Sequence, residues 1–250
     1  MEKKLIKKVL ISGKIITLTG LHIGGSNTSI QIGGLDNSII RNPLDNKPYI
    51  PGSSLKGKMR CLLEQSIGVA GTVRMGGKIQ HGPTDKQSGD KAIPVLNLFG
   101  MASGDDDNIP SKLIVRDCNI VDDDEKLLEN QSTDLPYTEA KTEIVLDRIT
   151  AAAVPRQLER VPAGVEFTLN MVVNIYEGDN EVEMLNLVFN GMRLLQDDYL
   201  GGSGSRGSGQ ISFNIEKVIE RGAAFYAAND VSSQKEYNTV QVPDELTQKN

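Results

Sequence analysis

Val165-Glu-Phe-Thr-Leu-Asn-Met-Val-Val-Asn-Ile-Tyr176 carries the clearest periodicity in the chain. Val165, Phe167, Leu169, Met171, Val173 and Ile175 fall on one side, and Glu166, Thr168, Asn170, Val172 and Asn174 on the other. A period of two marks a half-buried strand with one polar face. Just downstream the period changes. Over Glu181 to Leu195, the residues Leu185, Val188, Phe189, Met192 and Leu195 share one side of a helix. A Gly/Ser loop from Gly201 to Gly209 then leads into a second alternating strand at Ile211, Phe213, Ile215 and Val218. This half of the chain therefore reads strand, helix, strand.

The amino-terminal half repeats that order around long excursions. Residues 5–19 are rich in β-branched side chains and too irregular for a helical stripe, so they read as a strand. Residues 20–52 hold six glycines and three prolines, a long loop of the kind that usually carries function. Ser53 or Ser54 is then placed to cap a helix whose Leu55, Met59, Leu62 and Leu63 recur at helical spacing to about Ile67. Residues 70–111 are polar, Gly-rich and broken by Pro83, Pro94 and Pro110, and read as an insertion with little core of its own. Strand character returns at 112–121, and an acidic stretch with a further excursion fills 122–162. Stripped of excursions, the order is strand, helix, strand, strand, helix, strand. That predicts an α+β fold with a ferredoxin-like split β-α-β core, as in RNA-recognition motifs. Residues 1–220 form one domain with insertions at 20–52, 70–111 and 122–162. Residues 221–250 form an extension, with an apolar-poor, frayed tail expected after about 229.

Composition narrows the function classes. The chain has 250 residues, 38% apolar, with 27 Lys+Arg against 33 Asp+Glu and no Trp. No run of about 18 apolar residues exists, and the start, Met1-Glu-Lys-Lys-Leu-Ile-Lys-Lys8, is charged where a secretory signal needs apolar residues. No membrane partner is expected. Cys61 and Cys118, with only His22 and His81 beside them, make neither a disulfide framework nor a zinc spacing, so the reading is cytoplasmic. The net charge of −6 hides an asymmetry: the first 60 residues carry ten basic against three acidic side chains, and residues 101–150 carry five against thirteen. Because attraction to phosphate acts over a Debye length of about 10 Å, a local basic surface suffices for nucleic acid. Lys3, Lys4, Lys7 and Lys8 equally suit a solvated strand face. With eleven Phe and Tyr in all, bases are not expected to stack on the sheet, and loops and charged elements would do more of the binding.

Two motifs match in spelling only. Gly52-Ser-Ser-Leu-Lys-Gly-Lys-Met59 fits a Walker A loop until Met59 replaces the magnesium-binding hydroxyl, and its Leu55 and Met59 already belong to a helix. Gly202-Ser-Gly-Ser-Arg-Gly207 spells a dinucleotide fingerprint but leaves a helix and enters a strand, the reverse of the required order. A glycine-rich loop can still bring backbone N–H groups to a phosphate, with Arg206 adding a bidentate donor; a plain helix-to-strand turn has the same composition.

Leu21-His-Ile-Gly-Gly25, Gly33-Gly-Leu-Asp36, Ile50-Pro-Gly-Ser-Ser-Leu-Lys-Gly-Lys-Met-Arg60, Leu98-Phe-Gly100, Asp147-Arg-Ile-Thr150 and Gly201-Gly-Ser-Gly-Ser-Arg-Gly-Ser-Gly209 together resemble one family. It is the multi-copy backbone subunit of the type III-A CRISPR effector, the Csm complex, within the RAMP superfamily. The resemblance covers about residues 5–220. It implies a ferredoxin-like core with a lid-type insertion and a thumb β-hairpin. It also implies copies stacked in a filament along a CRISPR guide RNA, a complementary target RNA and further Csm subunits as partners, and an RNA-cleaving activity.

By the same resemblance Asp36 is the catalytic residue and the ligand of a divalent metal ion, with Mg2+ the expected one. A carboxylate can accept the proton of a 2′-OH or place a cation; in a Leu-Asp-Asn turn it can also simply cap its own backbone. His22 aligns with a guide-RNA contact. Lys56, Lys58 and Arg60 lie near a helix start, where two are expected to reach RNA and one to face solvent. Residues 122–162 resemble the thumb, with Arg148, Arg156 and Arg160 as RNA contacts, and Gly202, Ser203, Gly204, Ser205 and Arg206 resemble the guide-binding loop. A non-catalytic scaffold, or a guide-processing nuclease using His22, are the competing readings. Asp105–Asp107 and Asp122–Glu125 lack calcium-loop spacing.

Overall fold

The structure, a computed structural model, describes residues 3–25, 38–69, 71–75, 78–82, 89–101, 108–121, 137–228 and 233–247. In chain order its elements are β1 (Leu5–Thr17), β2 (Tyr49–Ile50), α1 (Gly52–Ser66), β3 (Gly71–Met75), β4 (Lys78–Gly82), α2 (Ile93–Phe99), β5 (Leu113–Val115), β6 (Cys118–Asn119), β7 (Glu139–Leu146), β8 (Ala153–Arg160), β9 (Glu166–Tyr176), α3 (Glu181–Gln196), β10 (Ile211–Gly222), α4 (Ala223–Ala228) and β11 (Lys235–Glu236). The main sheet is antiparallel with order β11-β10-β1-β9-β5. Leu55, Met59 and Leu63 of α1 and Leu185, Val188, Phe189 and Met192 of α3 share one core with Val9, Ile11, Ile15, Phe167, Leu169, Met171, Ile211 and Phe213 of the strands. Among the described residues, no helix is long and apolar enough to cross a membrane.

Strand β10 changes phase from the odd positions Ile211, Phe213 and Ile215 to Val218, and a β-bulge explains it. Ser12 pairs with Lys217 while Gly13 pairs with Ile215, so Glu216 is the extra residue. A Cβ on Gly13 would lie 2.1 Å from the Asn214 carbonyl oxygen, so only glycine lets the two backbones meet.

Several expectations need correction. Neither Ser53 nor Ser54 caps α1. The helix already starts at Gly52, no side-chain cap bond is made by Pro51, and the Gly52 N–H donates to Asp117 Oδ1 at 2.7 Å. Asp117 stands between β5 and β6, where the strand expected over 112–121 is interrupted. The insertion at 70–111 is not empty of core: α2 buries Val95, Leu96, Leu98 and Phe99, its short apolar run having been masked by flanking Pro and Gly. The polar face of β9 closes over its second half, where Val172 and Asn174 are each 7% exposed and Lys8 Nζ donates to Asn174 Oδ1 at 2.6 Å.

The frayed tail is also corrected for residues 233–247. There β11 pairs with β10, Tyr237 and Leu246 enter the core, and Lys7 Nζ lies 5.5 Å from the Tyr237 ring centroid. Two apolar anchors at the right spacing outweigh a polar composition. Within 122–162, residues 139–160 form an antiparallel hairpin of two eight-residue strands, β7 and β8. Its base is buried at Thr138, Leu158 and Glu159, while Ile144, Val145, Leu146, Ile149 and Val154 at its far end are exposed.

Candidate nucleic-acid interface

The site assembles where β1 runs out. Leu21 bridges to Val161, just past β8, and the next residue, His22, brings Nδ1 to 2.6 Å from the Glu159 carbonyl oxygen. A carbonyl only accepts, so Nδ1 carries the proton and the Nε2 edge is left toward Gly24 and Gly202. The loop after α3 is lashed to the same segment. Gly202 N–H donates to the His22 carbonyl at 2.8 Å, and Gly209 N–H to that of Gly20 at 2.9 Å. Gly201 has φ +79° and its missing Cβ would sit 2.1 Å from the His22 oxygen, which fixes glycine there on both counts.

Within this loop Ser203 is left-handed (φ 59°) and opens a tight turn over Gly204–Arg206. The N–H groups of Arg206 and Ser208 go to the Ser203 carbonyl and that of Gly207 to Gly204. The internal bonds thus use five of the loop's N–H groups, at 202 and 206–209, and those of Ser203, Gly204 and Ser205 are not among them. The broad anion cradle suggested by glycine content narrows to these three consecutive amides and that of Gly201, which the bonds do not use either. Arg206 stays 63% exposed while donating from Nη2 to Ser203 Oγ at 2.9 Å and pairing through Nε with Glu143 Oε2 at 3.2 Å, which ties the loop to β7.

The three basic residues of α1 diverge. Lys58 approaches the loop: its Nζ sits 3.9 Å from the Tyr199 ring centroid and 3.3 Å from Asp198 Oδ2. Lys56 turns to Ser111 Oγ at 2.6 Å and the Leu113 carbonyl at 2.9 Å, and burial, with Arg60 nearby, lowers its pKa. Arg60 bonds Glu64 and the Gly100 carbonyl. The expectation of one solvent-facing member is therefore corrected: all three are partly covered and engaged within the chain, Lys56 and Arg60 by carbonyls of the segments near 113 and 100 and Lys58 by Asp198 and the Tyr199 ring.

On the hairpin, Arg160 pairs with Glu139 at the base, while Arg156 in β8 and Arg148 in the tip turn are exposed. Asp147 Oδ1 accepts from the N–H groups of Thr150 (2.7 Å) and Ile149 (2.9 Å), which shapes the tip and lowers the Asp147 pKa.

Asp36 lies outside the described residues, as do Asp105–Asp107 and Asp122–Glu125. The described residues flanking Asp36's segment are held firmly: Gly25 N–H donates to the Ser38 carbonyl at 3.1 Å and Ile40 N–H to that of Ile23 at 2.8 Å. Behind them sits Glu159, 4% exposed, which accepts from Ile39 N–H (2.9 Å), Thr138 Oγ1 (2.8 Å) and Arg41. Burial opposes its charge, but the Arg41 bond, the Ile39 N–H and the Thr138 hydroxyl together hold its pKa below the ordinary value. Sequence reading missed Glu159, Arg41, Thr138 and Tyr199, which meet only through pairings distant in the chain. Among the described residues no three His, Cys, Asp or Glu side chains are grouped to hold a metal ion, so they do not by themselves fit a cation.

A glycine-rich loop, a histidine edge and a lysine converge beside a hairpin, in a chain that is similar to known proteins over most of its length. The model of the RAMP superfamily matches residues 14–212. The "CRISPR system Cms endoribonuclease Csm3" of Methanothermobacter thermautotrophicus is 41% identical over 232 residues, 88% of this chain and 89% of that protein. Its namesake in Methanocaldococcus jannaschii is 36% identical over 98% of this chain and 94% of its own length. The chain belongs to the Csm3 family of the RAMP superfamily. Among solved structures, a Csm3–Csm4 subcomplex of the type III-A CRISPR-Cas interference complex aligns with TM-score 0.57 and 29% identity, covering 98% of this chain and 95% of that one. The Methanopyrus kandleri Csm3 crystal structure shares the fold with TM-score 0.56 at 22% identity. The resemblance to a Csm-complex subunit of the RAMP superfamily, read from the motifs, is thus confirmed.

Proposed function

We propose that this chain is a guide-RNA-binding backbone subunit of a type III-A CRISPR complex and an endoribonuclease that cuts complementary target RNA at regular intervals, one cut per copy. The observation that carries this reading is the 41% and 36% identity, over 88% and 98% of the chain, to two proteins named as Csm3 endoribonucleases. The convergence of His22, Ser203–Arg206 and Lys58 supplies the matching surface. The core reading as ferredoxin-like is supported by the sheet order, in which the four long-range strands β10, β1, β9 and β5 lie fourth, first, third, second in chain sequence. The hairpin of β7 and β8 is proposed as the thumb, and further copies of the chain and other Csm subunits as its neighbours in the assembly.

Asp36 is proposed as the catalytic carboxylate. It would take the proton of a target 2′-OH. The 2′-oxygen then attacks the adjacent phosphorus, the P–O5′ bond breaks and the 5′-oxygen takes a proton from water, giving a cyclic phosphate end and a 5′-hydroxyl end. One positioned base contributes about 10²–10⁴-fold, so alignment of the attacking oxygen, imposed by displacing a nucleotide from the duplex, has to contribute the remainder. A divalent cation beside Asp36, proposed as Mg2+, would stabilise charge on the phosphate. The assembled complex should be given a target RNA carrying a single 2′-deoxy substitution in the paired region. Loss of only the cut at that linkage, and of every cut in EDTA, is the expected pattern. Cutting unaffected by either change would contradict the scheme.

A further inference from the structure

The residue that joins the two halves of the interface is Tyr199, which no motif singled out. It follows the end of α3, with its N–H donating to Asp198 Oδ1 at 2.8 Å. Gly204 is pressed against its ring: a Cβ built on Gly204 would lie 1.9 Å from Tyr199 Cγ and 2.2 Å from both Cδ1 and Cδ2, centred on that end of the ring. The same ring receives Lys58 Nζ at 3.9 Å from its centroid, and Asp198 steadies that ammonium at 3.3 Å. An ammonium has three donors, so one remains for a phosphate after the aspartate and the ring are satisfied. Thr19, Ser205, Ser208 and Gln210 continue the polar recess beside the ring, which Asp197 and Asp198 also line.

We propose that Tyr199 is the positioning residue of the guide-RNA site: its ring sets the spacing between the Ser203–Ser205 amides and the Lys58 ammonium so that both bear on one stretch of phosphate backbone. The inference rests on the guide-RNA reading above. The ring acts through its faces, so the hydroxyl is dispensable and the aromatic plane is not. Without the plane, Gly204 loses the surface it leans on and Lys58 loses the face that aims it. The chain would keep its fold and lose a phosphate contact.

The test is binding of single-stranded RNA by the full chain across a salt series, for wild type, Tyr199→Phe, Tyr199→Met and Lys58→Met. Tyr199→Phe should match wild type. Tyr199→Met should bind about tenfold more weakly, with the slope of log K against log salt reduced by about 0.7, the share of one phosphate on a single strand. Lys58→Met should show the same reduced slope, and combining the two should lower it no further. A purely structural role would weaken binding only in step with a lower Tm and leave the slope alone. An unchanged slope in Tyr199→Met overturns the proposal. Amide exchange in the wild type decides independently of any variant's folding: Ser203–Ser205 should be slowed by RNA, and unchanged exchange there also overturns it. Wild type that binds no RNA would instead remove the guide-RNA reading on which the proposal stands.

Discussion

Arg41 and Glu159 form a nearly buried ion pair that fastens the strand end of the hairpin to the segment just after residues 26–37, with 17% and 5% of their side-chain surfaces exposed. Removing the arginine strands a carboxylate already committed to Thr138 and Ile39, and an uncompensated buried charge costs about 3–5 kcal/mol. Arg41→Ala should therefore lower Tm markedly, whereas Glu159→Gln, which keeps most hydrogen bonds, should cost less. The pH dependence follows from the lowered Glu159 pKa. The stabilisation is complete above the unfolded-state pKa and is lost as pH falls through the folded one. Thermal melts between neutral and acid pH should show wild type losing more stability than Glu159→Gln; parallel curves would refute it.

The bulge at Gly13 makes a sharper demand. Gly13→Ala would drive a methyl group into the Asn214 carbonyl, where the neighbour is backbone and cannot turn aside. The strands must separate locally, at about 1–3 kcal/mol. A urea melt should show a lower midpoint with the same m-value, and a wild-type midpoint would mean that the register is not fixed as described.

The carboxy-terminal segment contributes to the core through Leu246, which is fully buried. Leu246→Ala should cost about 2–5 kcal/mol, as for other fully buried leucines. Exposed Glu245, paired with Arg193 across 3.3 Å at 59% and 48% side-chain exposure, should matter little when changed to Ala. Equal and negligible losses from the two would return this segment to the status of a tail.

The two cysteines provide a rapid check on packing. Cys61 is exposed, whereas Cys118 is buried and its thiol is pushed up to about 12, first by burial and then by Asp117. A thiol reagent at neutral pH should label one site quickly and the second only on unfolding. Two fast-reacting thiols in the folded chain would show that the β5–β6 region is open.

The alternation around Phe167 and the stripe of α3 were legible in the sequence because one strand face and one helix face alone decide them. What escaped was contact across long separations. The Gly52 amide is served by Asp117 rather than by a neighbouring serine, and α2 hid its core residues among prolines and glycines. In the interface, residue types drew attention to His22, Lys58 and Arg206. Lys56 and Arg60 were equally basic but face carbonyls of their own chain, which no spacing reveals. Tyr199 was invisible for the opposite reason: a lone tyrosine after a helix carries no pattern until Gly204 is seen against its ring.

The decisive experiment compares wild type with Asp36→Asn in the assembled, guide-loaded complex, using end-labelled complementary RNA and magnesium. The substitution keeps size and polarity while removing the proton-accepting charge. Target binding should persist and the evenly spaced ladder of cuts should vanish. An unchanged ladder from Asp36→Asn would contradict the catalytic assignment and leave the chain as an RNA-binding scaffold.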